Sequence, residues 1–591
     1  MKFSALTTYF EKLEATTKRL EMFDILAELF AHASGSDIDK IIYLSQGQLL
    51  PPYRGLDMGM SAKLLMRALS KASGLTMEEV KTLYDQNGDL GFTAEEAVRR
   101  KIYLPPETLF EFTEEAPRAE TVSDVYSILM RIAKTSGSGS MKLKIQLTSD
   151  LMKAVSPVEA RYITRIVIGR LRLGLGDPTV LEALALSRGD RGLRPELERA
   201  YNLCCDLGLV ASTLLKDGMD AVRNFKIRVG YPIRMALCER LGSVEEIVNK
   251  VGKAAIETKY DGFRVQVHID GSNVEMFSRN LERTTPMFPE IAEAAHKHLK
   301  TGLAVIEGEA MAFDEDTGRL LPFQVTIQRK RKYGIKDMAR KYPLKFFAFD
   351  LLYLDGSDWT EKPFIERRKQ LEELVMPNAV IKLSSIFVSD NADEIARAFD
   401  KAVKDGFEGI VVKRLDSGYT AGSRNFNWIK LKQSYSRELS DTIDVCIVGY
   451  FLGRGARARF GIGGVLAAVY DESSDTFKTI TKIGSGFTED ELGKFKAMLD
   501  TAALGHRHPR VDSDIEADVW VEPRFVIAVT ADELTRSPLH TAGRDKLGVG
   551  FALRFPRFVG KLRSDKNPED ATSVHEIERI FEMQTKNVSH G

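Results

Sequence analysis

Hydrophobic positions follow one spacing in the first part of the chain and another in the remainder. Up to about residue 230 they recur every three or four residues, which predicts amphipathic helices, and strand-like alternation is scarce. The spacing is clearest near the N-terminus, in the series Phe10, Leu13, Leu20, Phe23, Leu26 and Phe30. Thr76 and Glu79 form the pattern of a capping box, which marks the start of a helix. Residues 1–230 are therefore predicted to form an all-α domain.

Beyond Tyr231-Pro232, alternating hydrophobic stretches are found between short helical patterns. The strand-like stretches read VEMFSR, LAVIEGEAMAF, LKFFAFDLLYL and GIVVKR. Helical spacing occurs between some of them, from Phe288 to Leu299 and from Ala392 to Val403. This order favours an α+β core with an antiparallel sheet, which we place at residues 231–437.

The last part of the chain, residues 438–591, is again rich in strand patterns. The stretches DVCIVGYF, GVLAAVYD, FKTITKIG and WVEPRFVIAVTA predict a small β-barrel of about five short strands, a count that fits an OB fold. A helix is predicted from Thr488 to Leu499, and a capping box of Ser573 and Glu576 predicts the start of a last helix. The whole chain is thus predicted to be a multidomain α+β protein.

Composition excludes several classes without choosing a function. An apolar content of 43% and a charged content of 28% are typical of globular proteins. Charged residues such as Glu11 and Lys18 occupy the stretch in which a signal peptide needs an apolar core, and no uncharged run approaches a membrane span. We therefore expect a cytoplasmic protein without a membrane partner. The four cysteines lack zinc-ligand spacing and are expected to be buried free thiols.

Net charge gives no sign of a polyanionic partner, because 84 basic residues balance 84 acidic ones. Any nucleic-acid surface must therefore be local. Three basic clusters are candidates for such a surface, and each fits a solvated face equally well. They are residues 329–332, the set Arg165, Arg170 and Arg172, and the set Arg454, Arg457 and Arg459.

The stretch 257–264, which reads ETKYDGFR, contains a motif with chemical meaning. Apolar and polar residues alternate from Val265 to Ile269, so a strand, a tight Asp261-Gly262 bend and a second strand are predicted, with Lys259 at a strand end. A lysine is a nucleophile only where nearby charge, a metal or burial favours its neutral amine. Taken alone, the K-x-D-G pattern is explained more simply by a hairpin with an exposed lysine.

Further motifs follow Lys259 in order along the chain. They are Ser278-Arg279-Asn280, Glu307-Gly308-Glu309, Phe349-Asp350, residues 408–413, Trp428-Ile429-Lys430-Leu431-Lys432, Arg554-Phe555-Pro556-Arg557 and Arg563-Ser564-Asp565-Lys566. This ordered series resembles the motifs of the ATP-dependent DNA ligases, most of all the archaeal ones, within the covalent nucleotidyltransferase superfamily. The likeness covers most of the chain, and residues 136–140 and 169–176 look like loops of that family's helical DNA-binding domain.

The resemblance implies a role for each site residue. Lys259 would attack the α-phosphorus of ATP and form lysyl-AMP. The residues that would contact the nucleotide or its phosphates are Glu257, Arg264, Arg279, Glu309, Phe349, Arg424, Lys430 and Lys432. Those that would orient pyrophosphate in the first step are Arg563, Asp565 and Lys566. Glu309 and Glu408 are the implied ligands of Mg²⁺, with Mn²⁺ as an alternative.

The implied reaction is the sealing of 5′-phosphate/3′-hydroxyl nicks in duplex DNA, in replication, repair and recombination. A hinge is expected between Tyr435 and Asp441. The resemblance also implies association with the nucleoid. The expected partners are nicked DNA and, as a candidate, a sliding clamp, and the chain is expected to be a monomer. Two alternatives are an RNA ligase or capping-type nucleotidyltransferase and a non-catalytic protein that binds DNA ends. The helical domain disfavours the first, and the joint presence of Lys259, Glu309 and Glu408 disfavours the second.

Overall fold

The computed structural model of the protein describes most of the chain and forms two compact units. The described residues are 1–591 with the exception of 17, 101–117, 170, 172, 322, 332, 433–438, 454–456, 458–459 and 589–591. The first unit comprises residues 1–201 and 206–225, and the second comprises residues 202–205 and 226–591. Each unit has its own interior and is described by itself.

The first part of the chain is helical, as the spacing of hydrophobic residues predicts. Its helices are α1 (Phe3–Glu14), α2 (Arg19–Ala31), α3 (Ile38–Ser45), α4 (Ala62–Ser73), α5 (Met77–Asn87), α6 (Leu90–Arg99), α7 (Val122–Lys134), α8 (Ser140–Ala154), α9 (Pro157–Val167), α10 (Asp177–Leu186), α11 (Arg194–Cys204) and α12 (Leu207–Arg223). The predicted capping box begins α5, since the Glu79 N–H donates to Thr76 Oγ1 and the Thr76 N–H donates to Glu79 Oε2.

Two of the basic clusters contain an arginine that is buried. Arg165 on α9 is 3% exposed and pairs with Glu14 and Asp89, so this guanidinium holds helices together. Arg329 is 1% exposed and forms an ion pair with Glu290 at 2.5 Å. The interpretation as a solvated face is therefore wrong for both residues. Each is buried beside a carboxylate, as a buried arginine requires. Arg170, Arg172, Lys332, Arg454 and Arg459 lie outside the described residues.

The second unit begins with an α+β region built on two sheets. Its helices are α13 (Val244–Val251), α14 (Pro289–His298), α15 (Phe323–Thr326), α16 (Ile335–Lys341), α17 (Phe364–Leu374) and α18 (Ala392–Lys404). Its strands are β1 (Leu237–Arg240), β2 (Ala254–Lys259), β3 (Phe263–Asp270), β4 (Asn273–Ser278), β5 (Leu303–Ala312), β6 (Leu344–Leu354), β7 (Ser357–Asp358), β8 (Ile381–Leu383), β9 (Ile386–Ser389), β10 (Gly409–Arg414) and β11 (Arg424–Lys432). One sheet has the order β1-β11-β10-β2-β9, and the other has the order β4-β3-β5-β6-β7 with β8 beside β6.

The bend after Lys259 connects these two sheets. Both predicted strands are present, but β2 pairs with β10 and β9, whereas β3 pairs with β4 and β5. The simpler interpretation as a hairpin is therefore wrong. Gly262 allows the crossing, because a Cβ at this position would lie 2.4 Å from the Ala310 carbonyl oxygen on β5. Lys259 thus lies where the edges of two sheets meet.

The C-terminal part of the second unit is rich in strands. Its elements are β12 (Leu439–Phe451), β13 (Gly464–Asp471), β14 (Thr476–Ile483), α19 (Glu489–Asp500), β15 (Ala503–Leu504), β16 (Val511–Asp512), β17 (Val519–Ala531), β18 (Glu533–Ser537), α20 (Arg544–Leu547), β19 (Gly550–Arg554), β20 (Arg557–Leu562) and α21 (Val574–Val588). Seven strands form a sheet of order β15-β17-β12-β13-β14-β16, with β20 beside β17, and β18 pairs with β19. Among the described residues these pairings leave the sheet open.

Both helices predicted in this part are present. Thr488 caps α19 through a capping box with Glu491. The Glu576 N–H donates to Ser573 Oγ, and the Ser573 N–H donates to Glu576 Oε2, as predicted for the last helix. Residues 435–438 of the predicted hinge lie outside the described residues, and Leu439 already belongs to β12.

Two further expectations concern thiols and membranes. Cys204, Cys205 and Cys446 are buried, as expected, while Cys238 is only partly buried. Within the part of the chain that the structure describes, no helix is both long and apolar enough to cross a membrane.

A buried ion pair fixes strand β6 against helix α17. Arg367 donates to both carboxylate oxygens of Asp350, at 2.7 and 3.1 Å, and both side chains are fully buried. We expect Arg367→Met to lower the free energy of unfolding by about 3–5 kcal/mol, because it leaves Asp350 as an unpaired buried charge. Denaturant unfolding measures this loss.

The matched control is Arg414→Met, which removes an exposed arginine that pairs with Asp416. This change should cost at most about 1 kcal/mol, as is usual for ion pairs at the surface. Equal losses in the two variants would contradict the importance of the buried pair.

Candidate active site

All thirteen residues singled out from the sequence line one cavity in the second unit. The set comprises Glu257, Lys259, Arg264, Arg279, Glu309, Phe349, Glu408, Arg424, Lys430, Lys432, Arg563, Asp565 and Lys566. Three of them lie about 300 residues after Lys259 in the sequence, so only the fold brings them together.

The pairing of three strands builds one wall of the cavity. Gly409 on β10 lies between Lys259 on β2 and Lys432 on β11. Two residues further along, Val411 lies between Glu257 and Lys430. Because residues two apart share a face of a sheet, these charged side chains project from the same face. The register therefore sets the spacing of the site.

Gly409 is required at the centre of this wall. Its φ is +141°, and a Cβ would lie 2.2 Å from the Leu431 carbonyl oxygen. A side chain here would therefore push β11 away from β10. The glycine keeps Lys259 and Lys432 close together on either side of it.

Lys259 forms an ion pair with the residue that precedes this glycine. Its Nζ lies 2.5 Å from Glu408 Oε2, and the Nζ of Lys432 lies 3.2 Å from the same oxygen. The Glu408 N–H also donates to the Lys259 carbonyl at 3.3 Å. One carboxylate thus neutralises two ammonium groups at the end of β2.

Glu257 and Phe349 lie together at a more deeply buried part of the cavity. Glu257 is 4% exposed, and its Oε2 accepts a hydrogen bond from Lys413 Nζ at 2.9 Å. Its Oε1 has no hydrogen-bond partner among the described residues. Burial raises the pKa of the Glu257 carboxyl, and Lys413 opposes this. The Phe349 ring packs edge-on against Trp428, with centroids 6.0 Å apart.

Arg264 and Glu309 face each other across the β3–β5 pairing. The Gly262 N–H donates to Glu309 Oε1 at 3.1 Å. Removal from water raises the pKa of Glu309 to about 8, although the charges of Lys259 and Arg264 oppose the increase. Arg264 donates to the Ala236 carbonyl at 2.6 Å and to Glu307 at 2.8 Å.

Three further cations of the cavity pair with carboxylates to which the sequence assigned no role in the site. Lys430 and Arg424 bind the same oxygen of Glu576, at 2.6 and 2.7 Å. Arg279 donates to Asp570 through two nitrogens, at 2.8 and 3.1 Å. Glu576 and Asp570 lie more than 100 residues from their partners, so no local pattern identifies them.

The residues of the last motif form a small charge network of their own. Arg563 pairs with Asp565 at 2.7 Å and with Asp444 at 3.2 Å, and Lys566 also pairs with Asp444. These cations hold the pKa of Asp444 down at about 2, although burial opposes them. Burial lowers the pKa of Lys566 to about 8, and Asp444 limits this decrease.

Lys413 and Trp428 line the cavity and belong to the ordered motifs, but the sequence analysis assigned neither of them a role. Lys413 is 1% exposed, and its Nζ lies 4.3 Å from the centroid of the Trp428 ring. The alternation of side chains along β10 could have placed Lys413 in the site. Lys413 is four residues after Gly409, so it lies on the same face of the strand.

Comparison with known proteins agrees with the motifs. Three family models match: DNA ligase N terminus over residues 2–185, ATP dependent DNA ligase domain over 235–432, and ATP dependent DNA ligase C terminal region over 458–566. A probable DNA ligase of Dictyoglomus turgidum is 47% identical over 587 residues, 99% of this chain and 98% of its own length.

Two archaeal proteins are similar over the whole chain as well. DNA ligase 2 of Thermofilum pendens is 43% identical over 99% of this chain and 98% of its own length. The DNA ligase of Aeropyrum pernix is 43% identical over 100% of this chain and 99% of its own length. The chain therefore belongs to the ATP-dependent DNA ligase family, as the resemblance implied. It is an ATP-dependent enzyme, which sets aside the RNA-ligase and non-catalytic alternatives.

Glu309 should make the stability of the protein depend on pH. Its pKa rises from an ordinary 4.5 to about 8 on folding, so folding favours the protonated carboxyl. The resulting stabilisation is fully present below about pH 4.5 and is lost as the pH rises towards 8. We expect Glu309→Gln to gain stability relative to the wild type across this window, as measured by denaturant unfolding at several pH values.

Glu315→Gln, which changes an exposed glutamate, is the control and should follow the wild type at every pH. A constant difference between Glu309→Gln and wild type across the window would contradict the raised pKa.

Proposed function

We propose that the chain seals nicks in duplex DNA through a lysyl-AMP intermediate on Lys259. The observation that carries the proposal is the meeting of the thirteen residues in one cavity, since three of them come from the far end of the chain. In the first step the Lys259 ammonium gives a proton to solvent, and its neutral Nζ attacks the α-phosphorus of ATP. A second N–H proton leaves to solvent as the phosphoramidate forms. A P–N bond forms, the bond from that phosphorus to the bridging oxygen breaks, and pyrophosphate leaves.

The deeply buried part of the cavity suits adenine. The Oε1 of Glu257 is a buried acceptor without a hydrogen-bond donor among the described residues, and the exocyclic amino group of adenine supplies one. Guanine has a carbonyl oxygen at the same ring position and would leave two acceptors facing each other. Phe349, which lines the same cavity, supplies a ring on which the base can stack.

The cations of the cavity suit the phosphates. Arg563 and Lys566 would hold the leaving pyrophosphate, while Asp565 orients Arg563. Lys430, Lys432 and Arg424 would hold the phosphate of AMP. Each phosphate that binds must displace a carboxylate partner, such as Glu576 from Lys430. The phosphates would then neutralise the cations in place of these carboxylates.

Glu309 and Glu408 are the residues that would hold Mg²⁺ or Mn²⁺. Both carboxylates line the cavity, and oxygen ligands suit these cations. The described residues contain no group of three or more His, Cys, Asp and Glu placed to hold a metal. The protein would therefore supply few ligands, and phosphate oxygens and water would complete the shell. A bound cation neutralises phosphate charge.

In the later steps AMP passes to the 5′-phosphate of the nick, and the 3′-hydroxyl then displaces AMP to join the strands. We propose that three domains share this work. They are a helical DNA-binding domain at 1–230, a core at 231–437 and an OB-fold domain at 438–591. The hinge at Tyr435–Asp441 would let the last domain leave the cavity and bind DNA. The expected partners are nicked DNA and a sliding clamp, and the chain would act as a monomer.

The proposal is tested by incubation with α-labelled ATP and Mg²⁺, followed by a chase with nicked DNA. The wild type should acquire acid-labile label and lose it as nicks are sealed, whereas Lys259→Ala should acquire none because no other lysine replaces it. Lys253→Ala, an exposed lysine just before β2, is the matched control and should label normally. Equal labelling of Lys259→Ala and wild type would overturn the assignment of the nucleophile.

Lys566 should limit the first step at high pH. Its pKa of about 8 means that it is charged below this pH and neutral above it, when it no longer binds pyrophosphate strongly. Arginine stays charged throughout this range. Relative to wild type, the self-adenylation rate of Lys566→Arg should therefore rise above pH 8. Parallel rate profiles of the two proteins from about pH 6.5 to about pH 9.5 would contradict this role.

A further inference from the structure

Strand β3 has one apolar face and one buried polar face. Val265, Val267 and Ile269 lie in the hydrophobic core. Arg264, Gln266 and His268 alternate with them on the other face, where Gln266 and His268 are at most 1% exposed. Buried polar side chains need partners, because an unpaired one costs about 1–3 kcal/mol. The partners here are backbone groups of residues 230–236.

The three polar side chains bind this segment at regular intervals. His268 Nδ1 accepts from the Gly230 N–H at 3.2 Å. Gln266 accepts from the Ile233 N–H at 2.8 Å and donates to the Ile233 carbonyl at 2.9 Å. Arg264 donates to the Ala236 carbonyl at 2.6 Å. The segment therefore runs antiparallel to β3 and ends beside Arg264 in the cavity.

A closed ring of hydrogen bonds forms at the Arg264 end. The Ala236 N–H donates to the Tyr419 hydroxyl at 2.8 Å, and this hydroxyl donates to Glu307 Oε2 at 2.9 Å. Arg264 Nη2 donates to the same oxygen at 2.8 Å, and Arg264 Nη1 returns to the Ala236 carbonyl. Glu307 is fully buried and Tyr419 is 5% exposed.

The ring holds both terminal nitrogens of the Arg264 guanidinium, Nη1 and Nη2. Arg264 also lies against aromatic rings, with its Cζ 5.5 Å from the centroid of Phe349 and 5.2 Å from that of Trp428. Its Nε is buried and has no hydrogen-bond partner among the described residues. A free arginine side chain loses up to about 2 kcal/mol of rotamer entropy when a ligand immobilises it. Here the protein has already immobilised it.

We propose that Glu307 and Tyr419 are positioning residues that hold Arg264 in the orientation in which it binds ATP. The inference rests on the proposed role of Arg264 in the nucleotide site. Neither residue needs to touch the substrate. Loss of the Glu307 carboxylate would weaken the hold on Arg264 Nη2, and loss of the Tyr419 hydroxyl would loosen Glu307 and Ala236, the two groups that Arg264 binds. ATP would then have to order Arg264 upon binding.

The test uses Glu307→Gln and Tyr419→Phe in self-adenylation with ATP and Mg²⁺. Each should raise the KM for ATP by about tenfold, as expected for the loss of one hydrogen bond to a charged group. His268→Gln is the matched control, because it disturbs the same buried face at the far end from the cavity. It should lower the melting temperature by a similar amount and leave KM unchanged. A similar rise in KM in His268→Gln would overturn the proposal, since any damage to this face would then have the same effect.

A double-mutant cycle separates this inference from the proposed function. If Glu307 acts only through Arg264, Arg264→Ala with Glu307→Gln should raise KM no more than Arg264→Ala alone. A double variant in which the two increases multiply would overturn the positioning role. The positioning role would also be overturned if Tyr419→Phe had the KM of the wild type while Arg264→Ala had a raised KM. If Arg264→Ala had the same KM for ATP as the wild type, the proposed role of Arg264 would be refuted, and the inference with it.

Discussion

Pairing of buried charge is the constraint on which the site depends. A cavity that binds a triphosphate needs many cations, and a cation removed from water costs several kcal/mol unless a carboxylate accompanies it. Glu408 pairs with Lys259, Asp570 with Arg279, and Glu576 with Lys430. Two of these three carboxylates belong to the C-terminal part of the chain. The need for charge partners therefore draws that part onto the core.

Backbone geometry gives this charge network its spacing. Lys259 lies where two sheets cross, and Gly262 and Gly409 let neighbouring strands approach there more closely than any side chain would permit. Strand register then sets the distances between charged groups, since Lys259 and Lys432 flank the same glycine. The chemistry is thus carried by rigid sheet edges, while the partners of the cations come from distant segments.

Local patterns in the sequence predicted the helices and the main strands, and the ordered motifs predicted which residues form the candidate site. Helical spacing, alternation and the predicted capping boxes at Thr76 and Ser573 are decided by neighbouring residues, and the structure agrees with them. The thirteen residues that the ordered motifs singled out line one cavity. The pairing of strands could not be predicted, because strands far apart in sequence compete for each sheet edge. The apparent hairpin at Lys259 therefore proved to be a connection between two sheets. Ion-pair partners such as Glu576 and the burial of Arg329 were equally invisible, since both depend on contacts far apart in sequence.

One carboxylate links the end of the chain to the phosphate site. Glu576 accepts the Ser573 N–H at the start of α21 and also neutralises Lys430 and Arg424. An anion that binds these two cations deprives a helix-capping residue of its countercharges. By thermodynamic linkage the effect is reciprocal. A change that weakens the ion pairs of Glu576 with Lys430 and Arg424 therefore increases the affinity of these two cations for other anions. Inorganic phosphate that bound Lys430 and Arg424 would therefore act on the same balance of charges that involves the cap of the last helix.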